Sequence, residues 1–353
     1  MTARRGLTLS VDLSALRHNF QQIKHYTADS KVMAVIKADA YGHGMLQVAR
    51  ALDQADGFAV AQLSEAVFLR QKGIDKPISV FQGFTDRAQL QQAVRYQLRP
   101  AISQRWQLDL LESKLDTGSL DVWLKINTGM GRLGFQPEDV AACWQRLQGL
   151  NSVNQSGLMT HFANADVPQH KSNQQQISCF SRIADSLKAE TSVSNSAAIM
   201  SGLLTQQDWV RPGIMLYGAS PLQGRSAEEL ALKPVMKLQA ELIAINPLKK
   251  ASHVGYGDSW ICPENMPVGI VNMGYADGYP RHALTGTPVS INNQRSQLIG
   301  RVSMDSIAVD LRGIEARCGD MVELWGDQVP IDEVALRADT IAYELLCHAG
   351  RSF

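Results

Sequence analysis

The chain lacks a net charge: its 34 lysines and arginines balance 34 aspartates and glutamates. It therefore has no field that would collect nucleic acid or settle it on an anionic membrane. It is also short of cysteine in any useful arrangement. The five, Cys143, Cys179, Cys262, Cys318 and Cys347, are odd in number and far apart. That excludes a disulfide framework and a close pair for zinc or redox chemistry, and suits free thiols in a reducing compartment. Long hydrophobic runs are missing too, since no segment reaches the roughly 18 uncharged apolar residues of a membrane span. Arg4-Arg5 precedes the stretch from Leu7 to Leu13, but Asp12 interrupts it before an export-signal core can form. The expectation is a soluble, cytoplasmic protein with neither nucleic acid nor membrane as a partner.

What is present is enough apolar material for two cores. At 353 residues and 45% hydrophobic content, the chain divides naturally into a barrel of about 230 to 250 residues and a smaller domain. The division is placed at residues 1–230 and 231–353. Between residues 31 and 216, short β-branched runs alternate with helical patterns. Eight candidate strands are Val32–Ile36, Phe58–Ala61, Ile78–Phe81, Ala101-Ile102, Val122–Ile126, Leu158–Phe162, Thr191–Ser194 and Val210–Leu216. Met45, Val48, Ala49 and Leu52 form one buried helical stripe between them. Val140, Cys143, Trp144 and Leu147 form another, and Ile177, Phe180, Ile183, Ala184 and Leu187 a third. The fold class is α/β, an N-terminal (β/α)8 TIM-type barrel. A helix carrying Leu13, Phe20 and Ile23 precedes the first barrel strand and is expected to plug or flank it.

After residue 230 the rhythm becomes that of short strands between turn residues. They are Val235–Ile245, Val268–Val271, Val289–Ile291 before Asn292-Asn293, Ile307–Leu311 and Met321–Trp325. This predicts a C-terminal all-β domain.

Sites of (β/α)8 folds gather at the C-terminal ends of the strands. Lys37 ends the first strand, just before the glycine-rich Tyr41-Gly42-His43-Gly44. Lys125 to Gly134 follow the fifth, His161 ends the sixth, Asn195-Ser196 follow the seventh, and Arg211-Pro212-Gly213-Ile214 lie in the eighth. A lysine among apolar neighbours loses hydration, so its neutral amine becomes available to an aldehyde. Ser196 at a helix start, with the Gly213 and Ile214 amides nearby, is the composition of a phosphate cradle. A Schiff-base lysine and a phosphate cradle together point to pyridoxal 5'-phosphate.

Seven ordered motifs then resemble the alanine racemase family of pyridoxal phosphate enzymes. They are Val35–Gly44, Thr128–Gly134, Ser194–Ala198, Arg211–Gly218, Val254–Gly257, Gly274–Gly278 and Val302–Asp305. The resemblance implies a barrel plus β domain, and a homodimer whose sites each borrow residues from the partner's second domain. It makes Lys37 the Schiff-base lysine and one base, and Tyr256 the second base, reaching in from the other subunit. Tyr41, Asn195, Ser196, Gly213, Ile214 and Tyr343 would bind the cofactor, most of them through its phosphate. Arg211 would face the pyridine nitrogen, with His161 orienting it. Arg132 would serve the cofactor's phenolic oxygen and the substrate carboxylate, with the Met304 amide assisting from the partner. Tyr275 and Asp305 resemble entrance residues, and Lys125 occupies a position that some relatives carbamylate. Asn127 departs from the family, which often has an acid there, and the tail from Tyr343 to Phe353 stops short of the usual Arg-Val-Pro type ending.

The implied reaction is interconversion of L- and D-alanine, feeding peptidoglycan or D-alanine catabolism, with serine and other small amino acids as alternative substrates. The rivals are a basic amino-acid decarboxylase of related architecture, a cofactor-carrying barrel and a cofactor-free lysine aldolase. The Tyr256 motif argues against the decarboxylase, and the second domain against the bare barrel.

Overall fold

The computed structural model describes residues 6–27, 29–113, 118–203 and 207–350; Arg4-Arg5 and the last three residues of the tail lie outside them. The first strand, β1 (Leu7–Val11), is followed by helix α1 (Leu13–Thr27). Eight strands then close a parallel barrel: β2 (Lys31–Val35), β3 (Gly57–Val60), β4 (Ile78–Val80), β5 (Arg99–Ile102), β6 (Leu120–Lys125), β7 (Val153–Met159), β8 (Glu190–Asn195) and β9 (Trp209–Arg211). Parallel strands covered by helices are buried on both faces, which is why β2 reads as a near-continuous apolar run. Val32, Met33, Ala34 and Val35 are all buried. The eight strands stand where the sequence put them but differ in extent: β7 runs from Val153 to Met159 instead of from Leu158 to Phe162, so it stops short of His161. The eighth stops at Arg211, because Pro212 has no N–H to donate and Ile214–Tyr217 wind into a 3-10 turn instead.

The barrel floor, at the strand starts, is knitted by charge and aromatic contacts. Arg99 lies 3.6 Å from the Trp123 ring centre and pairs with Glu190 at 2.6 Å, while Glu190 also accepts from Trp209 Nε1 at 2.6 Å. Gly157 is required there: a Cβ at that position would sit 2.4 Å from the Trp123 ring. Helix α1 flanks the barrel, burying Leu16, Phe20 and Ile23. Its buried Asn19 donates to Leu216 O and Lys233 O at 3.0 and 2.8 Å and accepts from Lys233 N–H at 2.8 Å, tying the two halves of the chain together.

The second half is an antiparallel sheet of β10 (Met236–Leu248), β13 (Met266–Val271), β14 (Pro288–Ile291), β15 (Gln294–Ile299), β16 (Ile307–Asp310) and β17 (Met321–Trp325), with β11 (His253–Val254) and β12 (Trp260–Ile261) as a small hairpin. The thirteen-residue β10 organises it. Its first part pairs with β17 and its second with β13, so the six larger strands return on themselves. Two features were not expected of an all-β unit. β1 pairs with β10, so the extreme N-terminal strand joins the C-terminal sheet. The chain also ends in helices Ile331–Arg337 and Ala342–His348, the second of which packs against the segment following β2. The tail is therefore helical where it meets the barrel.

Candidate active site

β2 stops at Val35, two residues before Lys37, so the lysine does not end the strand as expected. It opens a turn in which Ala38, Asp39, Ala40 and Tyr41 all take positive φ, at 53, 52, 55 and 53°. Each left-handed residue other than glycine costs roughly 1–2 kcal/mol, so this turn must be held from outside. Asp39 Oδ1 accepts from Met45 N–H at 2.7 Å. His43 Nδ1 lies 3.0 Å from both Ala40 O and Tyr41 O, and since carbonyls only accept, that nitrogen carries the proton. The imidazole is buried and stacked on Tyr217 at 4.5 Å, and burial pushes its pKa down to about 4, so it stays neutral. The turn sends Lys37 to one side and Tyr41 to the other. Loss of hydration, with the Arg132 charge adding to it, lowers the pKa of the Lys37 ammonium.

Tyr41 is packed between Tyr217, at 4.8 Å between ring centres, and Tyr343, at 6.0 Å. Asn195 caps the short helix Ser196–Met200, its side chain accepting from Ala198 N–H at 3.0 Å. That cap leaves the Ser196 hydroxyl free to face the turn after β9, where Oγ accepts from Gly213 N–H at 2.7 Å. Only glycine fits at 213, because a Cβ there would lie 2.6 Å from Tyr41 Oη. Ser196, Gly213 and Tyr41 thus converge from three distant parts of the chain, with Ile214 next in line and Tyr343 beside Tyr41.

A cavity of about 1030 Å³ opens over the strand ends and is lined by Lys37, Lys125, Arg132, His161, Arg211 and Tyr343, among others. Arg211 is its most constrained member. Its guanidinium is fully buried and donates to Ser192 Oγ at 2.5 Å, Thr160 O at 2.6 Å and Val193 O at 3.0 Å, all neutral oxygens. Burial pulls its pKa to about 9, still above neutrality, so it remains a cation. His161 lies two residues past β7; its Nδ1 faces Arg211 Nη2 at 3.4 Å. A guanidinium cannot accept, so Nδ1 is bare and Nε2 carries the proton. Burial and the neighbouring cations hold His161 well below the usual imidazole range, hence neutral. Lys125, at the end of β6, is also buried; desolvation first, then Arg211, Arg132 and Lys37, bring its ammonium down to about 8.

One supporting residue of the site carried no signal in the motifs. Gln176, buried on the helix Lys171–Leu187, accepts from Ala163 N–H at 2.9 Å and donates to Thr128 Oγ1 at 3.0 Å and His161 O at 2.9 Å. It joins the loop of Arg132 to that of His161. Its place beside Asn173 and Phe180 on the buried stripe was the available clue, because buried polar side chains have to find partners. The substituted Asn127 accepts from Gly129 N–H at 3.3 Å and Gly131 N–H at 2.9 Å, folding the loop that carries Arg132.

The remaining expected residues do not join this cavity within the chain. Tyr256 is 66% exposed, Met304 53% and Tyr275 38%, and Asp305 is exposed too. They share one edge of the sheet domain: Tyr275 N–H donates to Ser303 O at 3.1 Å, Ala276 N–H donates to Met304 O at 3.0 Å, and Gly257 packs against the Arg301 side chain.

Family models for the alanine racemase N-terminal domain and C-terminal domain match residues 11–221 and 235–353. The chain is 46% identical over 347 residues to an alanine racemase of Nitrosomonas eutropha, covering 97% of this chain and 96% of that one. It is 48% identical over 339 residues to one of Nitrosococcus oceani, covering 96% and 95%. The crystal structure of the biosynthetic alanine racemase of Pseudomonas aeruginosa superposes with a TM-score of 0.94 at 43% identity, covering 98% of this chain and 97% of that one. Barrel and sheet domain are thus matched along almost the whole length, and this chain belongs to the alanine racemase family.

Proposed function

We propose that the protein interconverts L- and D-alanine, using pyridoxal 5'-phosphate bound through Lys37 and a second base, Tyr256, supplied by the partner subunit of a homodimer. The observation that carries this reading is an amine of lowered pKa and a buried guanidinium facing only neutral acceptors in one cavity, with the hydroxyls around Gly213 reaching its wall through Asn195, next to Ser196, and Tyr343, next to Tyr41. These residues fit the cofactor. The Ser196, Tyr41 and Tyr343 hydroxyls would hold its phosphate together with the turn Gly213-Ile214, and Asn195 would fix the helix start beneath it. Arg211 would donate to the pyridine nitrogen and, unable to surrender a proton, would leave that nitrogen unprotonated. When bound, the cofactor supplies an electron-withdrawing ring that stabilises negative charge at the substrate Cα.

The chain's own groups do the rest. Lys37 Nζ, favoured toward the neutral amine, takes or returns a proton on one face of Cα. Tyr256 Oη does the same on the other face, and inversion requires both. Arg132 would hold the substrate carboxylate, with the partner's Met304 amide assisting and Tyr275 and Asp305 at the entrance. One site serves either direction, D-alanine for peptidoglycan or L-alanine for catabolism, in the cytoplasm. The test is solvent deuterium incorporation at Cα of L- and D-alanine, with serine and larger amino acids in parallel. Both alanine enantiomers should gain the label on conversion. Label-free product would refute the two-base route, absence of any conversion would refute alanine racemisation, and equal rates with bulky amino acids would refute selectivity for alanine.

We further propose that Lys125 is carbamylated. Arg211, Arg132 and Lys37, which act on it, are all cations, and with its pKa near 8 about a tenth is free amine at pH 7. Free amine adds carbon dioxide with loss of a proton, giving an anion that would pair with Arg132. Because only the amine reacts, the modification should persist above about pH 8 and be lost in acid. Native mass spectrometry should find one added carbon dioxide per chain, absent in Lys125→Ala; an unmodified mass under bicarbonate at alkaline pH would remove the idea.

A further inference from the structure

The left-handed turn that presents Lys37 is anchored at its far end by Asp39 and His43, but its near end, at Ala38, needs an anchor from outside the segment. That anchor is Glu65. Its Oε1 accepts from Ala38 N–H at 2.7 Å, one residue from the lysine, and its Oε2 accepts from Ala61 N–H and Gln62 N–H, both at 2.9 Å. The second oxygen caps the helix Leu63–Gln71, as a glutamate at the third helical position commonly does. The first does something a cap does not require: it crosses 27 residues of sequence to hold the turn after β2 against the loop after β3. Both oxygens are needed, since the two sets of donors approach from different chain segments.

We propose that Glu65 is a positioning residue for Lys37, fixing the Cα from which the reactive amine is delivered; the inference rests on the reading of Lys37 as the cofactor lysine. A carboxylate is the right group because it offers two acceptor oxygens and no donor. In Glu65→Gln the amide has one oxygen, and its NH2 must face a backbone N–H on one side or the other. The one oxygen stays where it accepts from two N–H groups, Ala61 and Gln62, so the NH2 faces Ala38 N–H and that tie is lost.

The test compares Glu65→Gln with Asp86→Ala, which removes an unrelated helix cap, the Asp86 side chain that accepts from Gln89 N–H at 2.8 Å. Apoenzyme of each is mixed with pyridoxal 5'-phosphate, and the appearance of visible absorbance is followed together with the apoenzyme Tm. Both variants should melt lower than the parent. Glu65→Gln alone should capture the cofactor about tenfold more slowly and, once loaded, show a lower kcat with little change in KM for alanine. Glu65→Ala should slow capture at least as much if it folds, and Glu65→Gln decides the matter if it does not. Capture and kcat within twofold of the parent in Glu65→Gln, with only Tm lowered, would reduce Glu65 to a helix cap and overturn the proposal. Failure of the parent apoenzyme to develop visible absorbance would instead overturn the cofactor reading itself.

Discussion

Coexpressing Lys37→Ala with Tyr256→Phe should restore racemase activity that each variant lacks alone. Lys37 lines the barrel cavity, whereas Tyr256 stands on the sheet domain, 66% exposed and outside that cavity. If each site takes its lysine from one chain and its tyrosine from the other, a hybrid dimer carries both defects in one site and an intact pair in the second. Random pairing of equal amounts gives half hybrids, so about one quarter of all sites are intact. Recovery near that fraction in the mixture, rising to about one half in hybrids purified through two different tags, is the expected result. Lys37→Ala alone should carry no added cofactor mass after borohydride treatment, because without the lysine there is no imine to reduce to a stable link. Tyr256→Phe alone should still take up cofactor, since no part of the cradle comes from residue 256. If the mixed preparation stayed as inactive as its parents, each chain would be using its own tyrosine, or none. The sharing of sites would then fall.

How much of this was legible in the chain depends on the range over which each signal acts. The barrel strands were readable because a parallel strand buried on both faces leaves an unbroken apolar run, as Val32–Ile36 and Val122–Leu124 do. β1 escaped notice because its partner, β10, lies more than 220 residues away, and five alternating residues carry no sign of which sheet they complete. The extent of β9 was misjudged for a local reason: the apolar residues after Pro212 are buried in a turn, and burial alone does not distinguish turn from strand. Lys37, Arg211 and Ser196 stood out because chemistry and position coincided. Glu65 and Gln176 did not, because each works through backbone groups of loops distant in sequence. No spacing rule links residue 65 to residue 38. The backbone conformation of Ala38–Tyr41 was equally hidden, since alanine and aspartate ordinarily avoid positive φ and only the surrounding hydrogen bonds impose it.

In Tyr256→Phe, solvent exchange at Cα should survive for one alanine enantiomer and fall for the other by about 10²- to 10⁴-fold, the usual contribution of a positioned acid or base. The asymmetry follows from geometry. Lys37 and its lowered pKa belong to the barrel, so the face it serves keeps its base in the variant. The opposite face loses the only hydroxyl that the sheet edge formed by residues 255–257, 274–277 and 301–305 would bring to Cα by this mechanism. Racemisation needs a proton removed on one side and returned on the other, so the overall rate should drop by the same factor as the slower exchange. Phenylalanine preserves the ring, which keeps the packing at the subunit edge and isolates loss of the proton carrier. The measurement is deuterium wash-in from each pure enantiomer, read by NMR before a tenth of the substrate has turned over. Equal slowing of both enantiomers would mean that residue 256 shapes the site without carrying a proton. Unchanged exchange in both would place the second base on another side chain of the cavity.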